Sequence, residues 1–258
     1  MTSKVLVSII TPTYNSEDYV DATIQSVCDQ TFTDWELVVV DDCSTDSTVE
    51  RVRVWQKADS RIKLLCNPEN LGPGPTRNRA MQASEGRYIA FLDSDDIWLP
   101  NKLTVQLAAM RSAGAVFSFT SYEMIDRTGA ALGRVVRAPR TLCYAELLRN
   151  TVIGCLTVMV DRSEVGTLEM PNIPSRQPLV LWLRILKQHG PGLGVADVLA
   201  RYRVRPGSIS SDKMRAARQV WRVYREYEGL SLFRSARYFF SYALKAGGRN
   251  IGVGRNRQ

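Results

Sequence analysis

Three carboxylates stand within four residues at Asp93-Ser94-Asp95-Asp96, directly after the apolar run Tyr88–Leu92. An apolar run of that length bounded by polar residues predicts a buried strand. Carboxylates crowded at one strand end repel each other unless something cationic joins them. A hard divalent cation shared with phosphate oxygens would do so, because Mg²⁺ and Mn²⁺ are held by one or two carboxylates together with substrate phosphates. The plainer alternative is a solvated acidic turn in which Asp93 or Ser94 caps a helix from Leu99. Two more polar clusters follow apolar runs in the same way: Thr13-Tyr14-Asn15 after Lys4–Ile10, and Asp41-Asp42 after Glu36–Val40.

The elements that must position these residues alternate. Strands are expected over Lys4–Ile10, Glu36–Val40, Ile62–Cys66 and Tyr88–Leu92. Thr11–Asn15 reads as a turn, and Asn70–Pro75 as a loop. A helix with Val20, Ile24, Val27 and Cys28 on one face, a second over Thr48–Ala58 and a third over Thr76–Ser84 lie between the strands. Such alternation predicts βαβ units, an α/β fold and a mostly parallel central sheet flanked by helices. Ligands of open α/β sheets bind beyond the carboxyl ends of the strands, where all three clusters fall. There is no GxGxxG and no GxxxxGK[ST], so neither a dinucleotide fingerprint nor a P-loop accounts for them. Further on, Leu103, Leu107 and Met110 mark a helix, Val116–Thr120 a strand, Ala131–Arg137 a hairpin arm, Thr141–Arg149 a capped helix and Ile153–Val160 a buried strand.

Composition fits a globular chain: 258 residues, 45% apolar and 23% charged, enough for a full core. No apolar run reaches the 18 or so residues of a membrane span, and Val5–Ile10 is too short for a signal peptide. Cys28, Cys43, Cys66, Cys143 and Cys155 are scattered without zinc or redox spacing, so reduced thiols and a cytoplasmic setting are expected. The net charge of +8 is uneven. Residues 201–258 carry 14 Lys/Arg and 3 Asp/Glu, a balance of +11, whereas residues 1–200 carry 20 and 23, a balance of −3. A basic C-terminal segment favours anionic partners. Nucleic acid is one class of these, but the aromatics sit at core spacing and no recognised nucleic-acid module is present, so specific nucleic-acid binding is not expected.

The run Val7–Asn15 resembles the opening of family 2 glycosyltransferases, as do Gln30-Thr31-Phe32, Val39–Thr48, Asn70-Leu71-Gly72 with Arg77-Asn78, and Phe91–Asp96. Their order and spacing match over roughly residues 5–110. The resemblance implies an inverting enzyme of the GT-A fold, acting on a nucleotide-sugar, with UDP the expected nucleotide. It implies a growing glycan or lipid-linked acceptor, as in the building of bacterial surface polysaccharides such as teichuronic acid, capsule or O-antigen. It places Asp42 on the base, Tyr14 against it, Asp93 on the ribose, and Asp95 on a Mn²⁺ or Mg²⁺ that bridges the phosphates, with Asp93 nearby. Pro12, Asn15, Asp41, Asn70, Gly72 and Ser94 belong to the same nucleotide-binding motifs. Arg77 either helps neutralise the diphosphate or is a solvated helix residue. The chemistry suits these types: a carboxylate accepts the imide N–H of uracil, and a divalent cation acts as a Lewis acid on a departing diphosphate.

The acceptor side departs from the pattern. Ser175–Leu186 resembles the acceptor segment of bacterial relatives, in which Arg-Gln-Asp precedes Leu-Trp-Leu and the Asp is the expected general base. Here Arg176-Gln177 is followed by Pro178. Proline cannot accept a proton, although it suits the first turn of a helix. Three readings stay open: a base-deficient chain that still binds donor, another carboxylate among Glu164, Glu169 and Asp197, or a shifted register. Gln177 could orient an acceptor, and His189, the sole histidine, is expected to face solvent near a helix end. The segment Leu199–Lys213 reads as a basic loop closing over the diphosphate, with Arg203, Arg205, Ser208 and Lys213 as candidate phosphate contacts. From Lys213 the pattern is helical with an aromatic stripe, either packed on its own domain or lying in a membrane interface. The expected organisation is a GT-A-like domain over residues 1–212, with a nucleotide-sugar half (1–110) and an acceptor half (111–212), then a basic helical extension and tail (213–258).

Overall fold

The computed structural model describes residues 5–150, 152–205 and 213–248. Four strands form the parallel half of the sheet: β1 (Val7–Thr13), β2 (Trp35–Asp41), β3 (Ile62–Cys66) and β4 (Tyr88–Phe91). Among the described residues the sheet order is β3-β2-β1-β4-β9-β6-β10-β5, where β5 is Ile97–Trp98, β6 Phe117–Ile125, β9 Met159–Asp161 and β10 Gly192–Arg203. The long ladders, β3-β2-β1-β4 and β6 with β10, are parallel. The antiparallel pairings are the shorter ones that join and edge them, including β7 (Ala131–Val136) on β6 and β8 (Thr141–Leu142) on β10.

The uninterrupted apolar run of β2 follows from burial on both faces. Leu37 and Val39 join one core with Val20, Ile24 and Val27 of α1 (Val20–Cys28), Val52 of α2 (Thr48–Ala58) and Leu103, Leu107 and Met110 of α4 (Lys102–Ala113). Val38 and Val40 point the other way. They join Ala80 and Met81 of α3 (Pro73–Gln82), Leu147 and Leu148 of α5 (Tyr144–Arg149), and Leu181 and Trp182 of α7 (Gln177–His189). Between these last two helices the short α6 (Arg162–Val165) caps β9.

Five expectations change, one of them at Thr141–Arg149, where Thr141–Leu142 pairs as β8 and the helix begins only after Cys143, at Tyr144. β1 runs on to Thr13 where a turn was expected. Ile10 O accepts from Leu92 N–H on the β4 side, and Thr13 O accepts from Asp42 N–H on the β2 side, so by alternation Pro12 faces past the end of β4. No ladder bond is lost there. α3 starts at Pro73 instead of Thr76, because both prolines fit the first turn, where N–H groups have no helical partner. Ile153–Val160 is not one strand: a 3₁₀ turn at Cys155–Thr157, closed by Thr157 Oγ1 and N–H on Gly154 O, precedes β9. The segment expected as a loop from Leu199 begins as the end of β10, whose partners β6 and β5 are distant in sequence.

The C-terminal helices α8 (Lys213–Arg222) and α9 (Leu232–Gly248) are joined by a wider helical turn at Val223–Tyr227. Val220, Val223, Tyr224 and Tyr242 join the core with α5 and α7, and the Tyr224 hydroxyl donates to Leu148 O. No described helix is long and apolar enough to cross a membrane.

Candidate active site

A cleft of about 820 Å³ opens at the carboxyl ends of β1, β2 and β4. It is lined there by Pro12, Tyr14, Asn15, Asp42, Asn70, Gly72, Arg77, Asp93, Ser94 and Asp95, and on the opposite wall by Arg176, Gln177 and Pro178. The structure thus gathers residues spread over 167 positions around one space.

Each donor-side residue is held by its neighbours. Asp42, almost wholly buried, accepts at Oδ1 from Asn67 Nδ2 (2.7 Å) and Leu71 N–H (2.9 Å), and at Oδ2 from Gly72 N–H (2.8 Å). It therefore anchors the Asn70–Gly72 loop, and Gly72 has the left-handed φ of 85° that lets the chain turn into α3. Asn15, also at positive φ, accepts at Oδ1 from Thr45 N–H (2.9 Å) and ties the loops after β1 and β2 together. Ser94 shares a hydrogen bond with Ser16 (2.8 Å). Tyr14 is 48% exposed, its ring free to meet a planar group. Asp41 is placed outside the cleft, its carboxylate engaged by Ser44 N–H (2.9 Å) and Ser44 Oγ (2.5 Å).

The acidic turn is met by arginines from two directions. Arg77, 6% exposed on α3, pairs with Asp93. Burial disfavours its charge, but Asp93 outweighs this and holds its pKa above the ordinary arginine value. Pairing of β5 with β10 (Arg201 opposite Ile97) carries the basic segment to the same turn. Arg203 N–H donates to Asp96 Oδ1 (2.8 Å), and its guanidinium donates to Asp95 O (2.7 Å), Asp126 O (3.1 Å) and Arg127 O (2.9 Å). Arg203 is thus a latch behind the site and does not line the cleft. Arg205 does line it. Its buried Nε lies 2.7 Å from Asp95 Oδ2, an ion pair by distance, yet its N–H is not aligned for a hydrogen bond. Burial pushes the Asp95 carboxyl up, Arg205 draws it down and Asp93 raises it further, with a net rise. Asp96, fully buried, is pushed well above the carboxylate range by burial and then by Asp95 and Asp93. Ser208 and the Lys213 side chain lie outside the described residues.

A metal can be weighed against this donor set. No described group of three or more His, Cys, Asp or Glu residues could cage an ion. Asp95 faces the cleft as a hard oxygen ligand, with a guanidinium donor beside it that lacks a hydrogen-bond partner. That arrangement fits an ion completed by ligand phosphates, in the manner of Mg²⁺, with Arg205 holding the countercharge otherwise.

On the acceptor wall, Pro178 is the second residue of α7, where its missing N–H leaves no helical bond unmade. Arg176, the residue before the helix, has φ of 69°. Gln177 is buried and lines the cleft; its Nε2 donates to Ile173 O (2.5 Å), which leaves the amide oxygen outside that bond. None of Glu164, Glu169 and Asp197 lines the cleft; all three are exposed elsewhere. Among the described residues the carboxylates that line it are Asp42, Asp93 and Asp95, all on the donor side. His189 is exposed at the end of α7. Sequence reasoning missed Cys155, Tyr122, Tyr202 and Trp182 as lining residues. Tyr202 and Trp182 stand inside motifs already singled out, whereas Tyr122 and Cys155 are brought in by β6 and the 3₁₀ turn and carry no local signal.

Comparison with known proteins agrees with this geometry. The chain is 45% identical to the putative teichuronic acid biosynthesis glycosyltransferase TuaG of Bacillus subtilis (strain 168), over 94% of this chain and 96% of that one. It is 41% identical to the UDP-Glc:alpha-D-GlcNAc-diphosphoundecaprenol beta-1,3-glucosyltransferase WfgD of Escherichia coli, over 86% of each chain. The crystal structure of S. aureus TarS 1-349 in complex with UDP superposes with a TM-score of 0.68, covering 92% of this chain and 70% of that one, at 22% identity, a likeness of GT-A fold. The sequence model of glycosyl transferase family 2 matches residues 8–160, and the chain belongs to that family.

Proposed function

We propose that this glycosyltransferase moves a sugar from a UDP-linked donor to a lipid-linked or growing glycan acceptor, with inversion, in the synthesis of a cell-surface polysaccharide at the cytoplasmic side of the membrane. The observation that carries the reading is the single cleft in which Tyr14, Asp42, Arg77, Asp93 and Asp95 face Arg176, Gln177 and Pro178. The names of TuaG and WfgD support the polysaccharide and the lipid-linked acceptor, and WfgD and the TarS complex support the uridine nucleotide.

In this reading the uracil lies against Tyr14, and the loop anchored by Asp42 closes its edge. Asp93, fixed by Arg77, meets the ribose. Asp95 is the protein ligand of a Mn²⁺ or Mg²⁺, which when bound supplies Lewis-acid stabilisation to the leaving diphosphate. Arg205 offers its guanidinium to the same oxygens, as preorganised positive charge where negative charge develops. The acceptor hydroxyl enters from the α7 wall, accepted by the Gln177 amide oxygen. Its oxygen forms the new bond to the anomeric carbon from the face opposite the diphosphate, UDP leaves with the electron pair of the bond it breaks, and the hydroxyl proton passes to water in the cleft unless a side chain accepts it.

Among the described residues no carboxylate lines the acceptor wall to take that proton, and this favours a second reading: a base-deficient chain that binds nucleotide-sugar and transfers it slowly or not at all. Calorimetric titration with UDP, GDP and dTDP, with and without Mn²⁺, tests what the two readings share. Metal-dependent binding that prefers UDP is expected; a folded protein that binds none of them refutes both. UDP release with a lipid-linked acceptor then separates them.

A further inference from the structure

α9 carries two apolar faces. Along the inward one, Ser235 and Tyr242 are buried, Tyr242 joins the core, and Phe239 meets Trp221 edge-on at 5.5 Å. The outward one bears Phe233, Phe240 and Leu244, which are 79%, 66% and 61% exposed. At about 100° per residue these three fall in one narrow stripe, on the side of the helix opposite Ser235 and Tyr242. Contiguous bulky apolar groups on a surface helix mark a contact with something else.

The charges nearby say what. Residues 213–248 carry eight Lys/Arg and two acids, Glu226 and Glu228. Glu226 is bound by Arg222, and Glu228 by Lys187 and the Tyr144 hydroxyl. Arg234 and Arg237 on α9, and Arg218 and Arg225 before it, are exposed. A second copy docked on the same stripe would bring Arg234 and Arg237 against their equivalents, a like-charge contact. An anionic surface with an apolar interior suits both features, and no described helix, α9 included, is long and apolar enough to cross a bilayer.

We propose that α9 lies in the interface of an anionic lipid bilayer, with Phe233, Phe240 and Leu244 in the acyl boundary and Arg234 and Arg237 among the headgroups. Ala216 of α8 lines the cleft, and the Trp221–Phe239 contact ties α8 to α9, so a lipid-bound α9 holds the cleft beside the bilayer. The inference goes beyond the transfer reading and does not need it, since vesicle binding requires neither nucleotide nor metal.

The test is flotation of the full chain with phosphatidylcholine vesicles, with and without about one-third phosphatidylglycerol. Anionic vesicles should bind at least about tenfold more strongly than neutral ones. The Phe233→Ser/Phe240→Ser variant should lose about tenfold or more of that binding with its melting temperature unchanged, since neither ring is in the core. Arg234→Glu/Arg237→Glu should remove the anionic preference. Leu132→Ser, at an apolar residue 50% exposed on β7, should bind like the parent. A folded parent that ignores anionic vesicles overturns the proposal. So does an α9 variant that binds like the parent, loss of binding on Leu132→Ser alone, or a parent dimer that the serine variant dissolves.

Discussion

Replacing Pro178 by Asp asks whether a proton acceptor is all that the acceptor wall lacks. The side chain at 178 already lines the cleft, between Gln177 and Leu179 at the start of α7. The scaffold should tolerate the change, because the restored N–H would be one of the helix's unpaired first-turn donors. A carboxylate there gains about 0.3–1 kcal/mol from the helix N-terminal partial charge. That charge and the adjacent Arg176 both favour its ionised form, so it is ready to accept a proton at neutral pH. A positioned general base contributes about 10²–10⁴ in rate, or roughly 3–5 kcal/mol of barrier. The assay is UDP release, with labelled product isolated from UDP-glucose or UDP-GlcNAc and a lipid-linked acceptor. We expect kcat to rise by about a hundredfold or more, donor affinity to stay within about twofold, and the gain to vanish at acid pH as the new carboxylate protonates. Pro178→Asn keeps the size and helix position but cannot take the proton, so it should remain at the parent rate. Equal gains for Asp and Asn would assign the effect to loss of the proline ring. No gain in a folded, donor-binding Asp variant would mean that the base lies elsewhere and would refute the reasoning.

Asp95→Ala should abolish the metal-dependent part of UDP binding while metal-free binding persists, because Arg205 loses its partner but keeps its charge; Mn²⁺ dependence equal to the parent's would remove Asp95 as ligand. Asp42→Asn turns an acceptor into a donor facing Gly72 or Leu71 N–H, and bonds to a charged acceptor are worth about 1.5–3 kcal/mol each. Thermal stability should fall and UDP should weaken more than GDP; an equal loss for both leaves Asp42 as a loop anchor alone. Lys102 is fully buried, donates to Gln106 Oε1 (2.8 Å), and burial lowers its pKa to about 7. The unfolded chain then binds one more proton between pH 7 and about 10.5, so native stability rises with pH across that window by about 1.4 kcal/mol per unit. Lys102→Met removes this slope, so its stability relative to the parent should fall by about 2–3 kcal/mol between pH 7.5 and 9.5 in urea unfolding; a difference constant with pH would show that the buried amine keeps its ordinary pKa.

The donor half was legible because its signals are local. An apolar run buried on both faces, then acids or turn residues at its carboxyl end, fixes both a strand and the edge on which its ligands lie. Thus α2 and β3 fall on the expected residues, and Asp42, Asp93 and Asp95 converge as expected. The misreadings share another cause. Pro12 reads as a turn until β4 is known to stop short of it, and a residue's tolerance for proline depends on which neighbour its N–H would face. Cys155 reads as mid-strand until the Gly154–Thr157 turn closes.

The basic segment shows the limit most clearly. Arg201, Arg203 and Arg205 recur at every second residue with similar surroundings, and nothing in the run Arg-Tyr-Arg-Val-Arg ranks one above another as a phosphate contact. Their fates are decided by chain from elsewhere. β6 brings Glu123 to Arg201, 2.5 Å away. The turn after β6 and the backbone of the acidic turn together engage Nε and one terminal nitrogen of the Arg203 guanidinium in three bonds to carbonyls. Arg205, two residues beyond the end of the strand pairing, meets the Tyr19 ring and a carboxylate that its Nε is poorly aligned to bond, and of the three it is the one that lines the cleft. A mobile ligand oxygen can improve on that geometry, whereas it could not compete for Arg203 without breaking three backbone contacts. Local composition says that this segment is cationic; only the strand partners say which cation is available to a substrate.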